Sequence, residues 1–213
     1  MARNTYGLDL GSYEIKVYDK KQDTIWKEKN VLAVQDKKEI IAIGEDAYQM
    51  YEKTPPDIEV AFPMRDGVIS RFNDMQNLLQ NILKKNRHFS RGAEYVIAVP
   101  TDVTEVQKKA FFDLVIHSNA KAREVNIVER SIADAVGLGI DVQNTTGVMI
   151  INFGGETTEL SVLTEGGIVF NRLLKLGGTT LDQEIVNLVR NSHDFLIGSR
   201  TAEILRQQFD VFN

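Results

Sequence analysis

The stretch Leu8-Asp9-Leu10-Gly11-Ser12-Tyr13-Glu14-Ile15 returns in altered form as Ile151-Asn152-Phe153-Gly154-Gly155-Glu156-Thr157-Thr158. Each copy has an apolar strand, a polar residue near its end, a glycine-containing turn and an outgoing strand. Because glycine has no Cβ and accepts positive φ, such a turn lets backbone N–H groups approach an anion closely. One glycine hairpin is more often an ordinary turn. Two that face each other would clamp a phosphate chain, and this pseudo-repeat therefore predicts a phosphate site.

Polar residues stand at matching places in the two copies. Asp9 lies in the first copy and Asn152 in the second. Both carry oxygen atoms, which are the ligands that Mg²⁺ and its bound water prefer. We expect these two side chains to hold a magnesium-bound water, with Asp9 as the charged member of the pair.

Single strands alternate with helices between the two copies, which predicts a parallel α/β sheet. A buried strand is expected at Tyr95 to Val99, and Thr101 or Asp102 is expected to cap the helix that follows. A long amphipathic helix is predicted before that strand. Its apolar face is formed by Ile69, Phe72, Met75, Leu79, Ile82 and Leu83.

The domain organisation follows from the turn formers. The first fifty residues alternate short strands with turns, which predicts a meander. The run Asn144-Thr145-Thr146-Gly147 is rich in turn formers and marks a linker. We therefore expect a first domain over 1–145, with a small subdomain inserted at about 29–68, and a second domain over 146–213.

Composition excludes several classes of protein. A net charge of -5, a pI near 5.3 and the absence of a basic cluster argue against nucleic-acid binding. The chain has no cysteine, which excludes a disulfide framework and a thiolate metal site within it. The first residues show neither a signal-peptide core nor an apolar run of spanning length, so a cytoplasmic location is expected.

The chain resembles the MreB-like rod-shape-determining proteins of the actin, Hsp70 and sugar-kinase superfamily. The two glycine turns are shared by the whole superfamily, whereas Pro63-Met64-Arg65-Asp66-Gly67-Val68-Ile69 is much more specific to the MreB-like group. The resemblance spans nearly the whole chain. Its remaining motifs are Val128-Glu129 through Gly139, Thr157-Thr158-Glu159, Leu176-Gly177-Gly178 with Asp182 and Glu184, and Ile197-Gly198 with Thr201-Ala202-Glu203.

The resemblance implies an actin-like (ribonuclease H-like) ATPase fold, with two domains around a nucleotide cleft for ATP or ADP with Mg²⁺. The family's second half extends past the place of Asn213, so the second domain is expected to be incomplete within this sequence. The implied nucleotide-binding residues are Asp9, Gly11, Ser12, Tyr13, Gly154, Gly155, Glu156, Thr157, Gly177, Gly178, Glu203 and Arg206. Glu203 and Arg206 would lie near the ribose and base, and Thr157 is also assigned to the catalytic set.

Three departures from the family pattern bear on catalysis. The family's catalytic Glu and the following Pro are replaced by Arg130 and Ser131, and the Mg²⁺-orienting Asp is replaced by Asn152. The third glycine of the second turn is Glu156. We therefore expect ATP turnover to be slow or absent, because a hydrolase needs an acid or base to orient the attacking water. The opposite charges of Arg130 and Glu156 further predict an ion pair across the cleft.

The resemblance implies a cytoskeletal filament subunit that assembles with itself and with cell-wall synthesis proteins at the inner membrane. The loop Asn86-Arg87-His88-Phe89-Ser90-Arg91 is a candidate contact with the lipid surface, through Phe89 and its flanking arginines. The alternatives are a sugar-kinase-like phosphotransferase and an Hsp70-like chaperone domain. A kinase would need a carboxylate base, and Arg130 stands in that place.

Overall fold

The computed structural model of the chain describes residues 4–85, 92–165 and 167–208. Its first sheet has five strands in the order β10-β9-β1-β2-β3. These strands are β1 (Thr5–Leu10), β2 (Glu14–Asp19), β3 (Thr24–Lys29), β9 (Glu94–Val99) and β10 (Glu124–Glu129). The strands β1, β9 and β10 run parallel, as the alternation of strands and helices predicts, whereas β1, β2 and β3 form an antiparallel meander.

Helices α2 (Phe72–Lys85) and α3 (Glu105–Ile116) pack beside this sheet. In β1 the side chains of Tyr6, Leu8 and Leu10 are buried and alternate with half-buried ones, as expected for a strand with one core face. The largest hydrophobic core lies between these strands and the apolar sides of α2 and α3.

Two local predictions about these helices are wrong. Ile69 belongs to a short strand rather than to the long helix, because it pairs with Met64 in a hairpin. The N-cap of α3 is Thr104, whose hydroxyl accepts a hydrogen bond from the Gln107 amide in a capping box. A capping box of this kind satisfies two free N–H groups at once, which Thr101 or Asp102 would not do at their positions.

The inserted region has a sheet of its own, in the order β5-β4-β6. It consists of β4 (Leu32–Gln35), β5 (Glu39–Ile43) and β6 (Ile58–Ala61), with α1 (Glu45–Met50) packed on it. The hairpin of β7 (Met64–Arg65) and β8 (Val68–Ile69) follows directly. Its turn is made by Asp66 (φ 52°) and Gly67 (φ 80°). Positive φ at both central residues is the geometry that tight two-residue hairpins require.

Helix α4 (Arg130–Gly137) leads from β10 to a second, antiparallel sheet in the order β11-β12-β13. Its strands are β11 (Val148–Phe153), β12 (Thr158–Thr164) and β13 (Gly167–Leu174), followed by α5 (Gly178–His193) and α6 (Ser199–Gln207). Ile150 and Leu163 pack with Ala135 of α4 on one face of this sheet. The proposed division near residue 145 falls between α4 and β11. Within the described ranges, no helix is both long and apolar enough to cross a membrane.

Candidate functional site

The two glycine turns are built in the same way. The Gly11 amide donates to the carbonyl of Glu14 at 3.1 Å, and the Gly154 amide donates to that of Thr157 at 2.8 Å. A Cβ on Gly11 would lie 2.7 Å from the Glu14 oxygen, and one on Gly154 would lie 2.9 Å from the Thr157 oxygen. Both turns therefore require glycine for the same steric reason, which confirms the pseudo-repeat.

The turns also meet across a cleft. A Cβ on Gly155 would lie only 2.6 Å from the Cβ of Tyr13, so the second turn packs against the first. The cleft around them has a volume of about 580 Å³, within the usual range for a small-molecule site. The residues predicted for the nucleotide site line it, apart from Gly177. They are Asp9, Gly11, Ser12, Tyr13, Asn152, Gly154, Gly155, Glu156, Thr157, Gly178, Glu203 and Arg206, together with Arg130.

The start of α5 supports the second turn. The Gly178 amide donates to the Gly154 carbonyl at 3.0 Å, and the Thr179 amide donates to the Gly155 carbonyl at 2.8 Å. A Cβ on Gly177 would lie 2.6 Å from the Gly155 oxygen and 2.7 Å from the backbone of Glu156. Glycine at position 177 thus lets the helix approach the turn closely.

The β7–β8 hairpin lies over both turns. The amide of Asp66 donates to Glu156 Oε2 at 2.7 Å, and Lys175 Nζ donates to Asp66 Oδ2 at 2.6 Å. On the other side, the amide of Gly67 donates to Ser12 Oγ at 3.3 Å. This hairpin therefore contacts the first turn and the second turn at once.

Arg130 begins α4, is almost buried and faces the end of β1. Its Nη2 lies 3.7 Å from Asp9 Oδ1, and the other oxygen of Asp9 accepts a hydrogen bond from Lys16 Nζ at 3.0 Å. The predicted ion pair between Arg130 and Glu156 is wrong. Glu156 accepts a hydrogen bond from the Asp66 amide instead, because the β7–β8 hairpin lies beside it. Arg130 lies near the carboxylate of Asp9.

Asn152 lies in the cleft wall, and a hydrogen bond to a residue outside the cleft orients its side chain. Its Nδ2 donates to Asp134 Oδ2 at 2.7 Å. Burial raises the pKa of the Asp134 carboxyl, although the hydrogen bond from Asn152 and the charge of Arg130 act in the opposite direction. Sequence reasoning missed Asp134. The available signal was its place one helical turn after Arg130, where the two side chains are neighbours.

A cluster of four residues closes the other end of the cleft, and we call it the tyrosine–glutamate cluster: Tyr13, Lys29, Tyr48 and Glu203. The hydroxyls of Tyr13 and Tyr48 both donate to Glu203, and Lys29 Nζ lies 3.8 Å from Glu203 Oε1. Lys29 also sits 3.6 Å from the centre of the Tyr13 ring, a cation–π distance. No local pattern in the sequence indicates that Lys29 and Tyr48 belong to the site.

The ionisation of the tyrosine–glutamate cluster follows from its burial and hydrogen bonds. Burial works to raise the pKa of the Glu203 carboxyl, but the hydrogen bonds from Tyr13 and Tyr48 outweigh it and leave the pKa lowered. Burial, and then the bond to Glu203, raise the pKa of both tyrosines. Burial lowers the pKa of Lys29. The neighbouring Arg206 is tied to Asp182, with Nε 2.6 Å from Oδ1.

Thr157, the remaining member of the predicted catalytic set, offers no acid or base, and two nearby polar residues, Ser131 and Glu159, are engaged in other contacts. Ser131 is buried and shares a hydrogen bond with the Thr101 hydroxyl at 3.0 Å. Thr157 is buried beside Gly67. Glu159 is 3% exposed, and its Oε1 accepts from the Thr101 amide at 2.9 Å and from Asn171 at 2.8 Å. Glu159 thus links the two sheets and does not line the cleft.

Comparison with known proteins identifies the family. The family model described as MreB/Mbl protein matches residues 3–212. The cell shape-determining protein MreB of Escherichia coli K12 is 34% identical over 98% of this chain. Mbl of Bacillus subtilis is 31% identical over 94%. This chain spans 62% of the E. coli protein and 60% of the B. subtilis protein.

A solved structure agrees with these matches. The crystal structure of MreB5 of Spiroplasma citri bound to ADP superposes with a TM-score of 0.89 at 32% identity. The superposition covers 97% of this chain and 62% of that one. The predicted actin-like fold is confirmed, and the sugar-kinase and Hsp70 alternatives are not favoured. The chain belongs to the MreB/Mbl family.

Proposed function

We propose that this chain is a nucleotide-binding cytoskeletal subunit that assembles with itself and takes part in determining cell shape. The pair of glycine turns carries this proposal. Gly11 and Gly154 close identical turns, and these turns meet through Tyr13 and Gly155 at one cleft. Two such turns present backbone N–H groups from opposite sides, an arrangement suited to a chain of phosphates.

Nucleotides are the ligand class that relatives indicate. The MreB5 protein of S. citri has been crystallised with ADP and with AMPPNP. Adenine nucleotides fit the volume of the cleft and the pairing of its turns. The binding is proposed to be weak, because Glu203, the expected ribose ligand, is already bonded to Tyr13 and Tyr48.

The residues near Asp9 do not fit the expected magnesium ion. Both oxygens of Asp9 face cations, Lys16 and Arg130, and Asn152 contributes no charge. Across the described ranges, no group of three or more acidic or histidine side chains could hold a metal. Mg²⁺ prefers carboxylate oxygen that is free to bind it or its water. No step of the proposed function depends on this metal.

Hydrolysis of ATP is proposed to be slow or absent. Arg130 holds the place of the family's catalytic acid, and it is paired with Asp9 rather than placed to accept a proton. An arginine side chain stays protonated in proteins and cannot act as a general base. The neighbouring Ser131 is occupied with Thr101. Loss of a positioned acid–base group costs about 10² to 10⁴ in rate.

Cell-wall synthesis proteins and the inner face of the membrane are the proposed partners, with a cytoplasmic location. This proposal rests on the names of the relatives, which are cell shape-determining proteins. The loop with Phe89, expected to contact lipid, lies outside the described residues. The net charge of -5 supports the expectation that nucleic acid is not a partner.

Titration of ADP into the protein tests nucleotide binding. Ser12→Asp adds a negative charge to the first turn and should weaken ADP binding by about tenfold or more, because like charges repel at short range. Thr24→Asp adds the same charge at the exposed start of β3 and should leave binding unchanged. Equal affinities for the two variants would contradict the proposed site.

Sedimentation with and without ATP tests self-assembly. A filament subunit pellets above a critical concentration, whereas a monomeric phosphotransferase on the same fold stays in the supernatant at every concentration. Phosphate release measured in the same samples reports turnover. Rapid release of phosphate by a protein that does not pellet would favour the phosphotransferase hypothesis over the filament-subunit hypothesis.

A further inference from the structure

The guanidinium of Arg130 is buried, yet its N–H groups make no hydrogen bond within the described residues. Arg130 is 8% exposed and lines the cleft. Within residues 4–85, 92–165 and 167–208, its guanidinium makes no hydrogen bond, and its contact with Asp9 is a long one at 3.7 Å. Guanidinium carries five N–H donors in a rigid fork that matches phosphate oxygens in pairs. These donors therefore point to an anionic ligand.

A second cation stands on the other side of the same carboxylate. Lys16 Nζ lies 3.0 Å from Asp9 Oδ2, and its side chain is 44% exposed and also lines the cleft. Among the side chains that line the cleft at the end of β1, Arg130 and Lys16 outnumber Asp9, whereas the Asp134 carboxyl that interacts with Arg130 lies behind the cleft wall. A hydrated Mg²⁺ beside Asp9 would face two like charges at close range.

Asn152 brings no charge to the cleft wall. Asn152 directs its Nδ2 to Asp134 at 2.7 Å, and Asp134 is not among the residues that line the cleft. The nearest acidic side chain of the second turn, Glu156, is held by the Asp66 amide of the β7–β8 hairpin. The two protein cations thus carry the positive charge that a divalent ion would otherwise supply.

We propose that Arg130, with Lys16, binds the phosphate groups of the nucleotide in place of a divalent cation, so that nucleotide binding does not require Mg²⁺. The inference rests on the proposed nucleotide binding. Arg130 binds through its planar fork and Lys16 through a point charge. The long contact between Arg130 and Asp9 opens as the phosphates arrive, since it holds no hydrogen bond.

The test is ADP affinity measured by calorimetry in excess Mg²⁺ and in EDTA. The parent should change by less than about threefold between the two conditions, since Mg²⁺ finds no carboxylate site here. Arg130→Gln should weaken binding by about tenfold or more in EDTA, because a charged bidentate contact is lost. Arg130→Lys, which keeps the charge without the fork, should fall between them. Lys109→Gln removes an exposed lysine on α3 and should match the parent.

A reciprocal pair of substitutions sharpens the test. Arg130→Glu combined with Asn152→Asp replaces the cation and restores a carboxylate, so that ADP binding should become strongly dependent on Mg²⁺. Far-ultraviolet circular dichroism establishes that each variant is folded. Inorganic pyrophosphate should shift amide NMR signals of the parent but not those of folded Arg130→Gln. This readout does not depend on turnover.

The outcomes separate the two proposals. ADP binding by the parent that weakens tenfold or more in EDTA overturns the metal-independent site and leaves the proposed function intact. An Arg130→Gln variant that binds as tightly as the parent in EDTA also overturns it. No ADP binding in either condition overturns the proposed function and this inference together.

Discussion

The two ends of the cleft use charge in opposite ways. At the end of β1, Arg130 keeps its hydrogen-bond donors unused within the described residues and lies 3.7 Å from Asp9. At the other end, Glu203 accepts hydrogen bonds from the hydroxyls of Tyr13 and Tyr48 and forms an ion pair with Lys29. The first end therefore has donors available for an anion, whereas the charged and polar groups of the second end already bond one another. Ligand affinity should therefore come from the first end, and the stability of the ligand-free protein from the second.

The largest effect on stability is expected where the start of α5 packs against the second glycine turn, which lies between the two ends of the cleft. Gly177→Ala places a Cβ within 2.7 Å of backbone atoms of Gly155 and Glu156, which cannot rotate away as a flexible side chain could. We expect a loss of about 3 kcal/mol in the free energy of unfolding, as for overpacking against backbone. Urea denaturation measures it.

Gly137→Ala is the matched control for this substitution. A Cβ at Gly137, the exposed last residue of α4, would meet nothing within 4 Å. It should be neutral or slightly stabilising, since alanine restricts the unfolded chain more than glycine does. Equal losses in the two variants would show that the close approach at Gly177 does not matter.

The second effect concerns the tyrosine–glutamate cluster. Glu203→Gln keeps the shape but removes the charge beside Lys29 and replaces one carboxylate oxygen by an NH₂ group, and it should cost about 2 kcal/mol because one tyrosine hydroxyl loses its acceptor. The measurement is urea denaturation without ligand at neutral pH. Gln207→Ala, which removes only the 3.1 Å bond from Gln207 to Glu203, is the control and should cost much less. A Glu203 variant as stable as the parent would remove the contrast between the two ends.

The third prediction is a gain in stability at the first end. Asp134→Asn removes a charge that burial disfavours and, because solvent screens this part-buried group, should stabilise the protein by less than about 1 kcal/mol at neutral pH. Because the folded pKa of Asp134 is raised, the parent regains this stability as pH falls toward the unfolded value of 3.8. The difference between variant and parent should therefore shrink on acidification.

An exposed aspartate provides the control of opposite sign for this pH dependence. Hydrogen bonds from Asn144 and the Gln143 amide lower the pKa of Asp141. Its contribution is present above pH 3.8 and is lost as pH falls. Asp141→Asn should therefore be neutral or destabilising at pH 7, and a matching gain in both variants would refute burial as the cause of the Asp134 shift.

The smallest effect is expected for Tyr48→Phe, which removes one hydroxyl from Glu203 and should cost about 1 kcal/mol. The lowered pKa of Glu203 makes this contribution present above 4.5 and lost as pH falls through the folded value. The raised pKa of Tyr48 keeps it present below 10.0 and removes it at higher pH. Thermal unfolding of parent and variant across this window measures the difference. Burial raises the pKa of Tyr51 as well, so Tyr51→Phe, at a ring stacked on Tyr48, should share the alkaline limit but lack the acidic limit that Glu203 sets.

The sequence predicted those parts of the fold and site that depend on local pattern. Gly11 and Gly154 were identifiable because a turn of this kind has a compositional signature, and β9 because an apolar run stands before Pro100. Partners that come from distant elements were not predictable. Opposite charges that face each other in the family fold predict a pair between Arg130 and Glu156, whereas the β7–β8 hairpin reaches Glu156 first. Lys29 and Tyr48 join Glu203 only through the packing of the inserted subdomain against α6.

The β7–β8 hairpin sets a limit on how far the protein can open. Its two central residues reach Ser12 on one side and Glu156 on the other, at 3.3 Å and 2.7 Å. The tight two-residue turn at Asp66 and Gly67 leaves the hairpin little freedom to stretch. Separation of the two glycine turns must therefore break one of these hydrogen bonds. The hairpin is in this sense a breakable cross-link between the two turns, and Lys175, whose ammonium donates to Asp66, reinforces it from the second sheet.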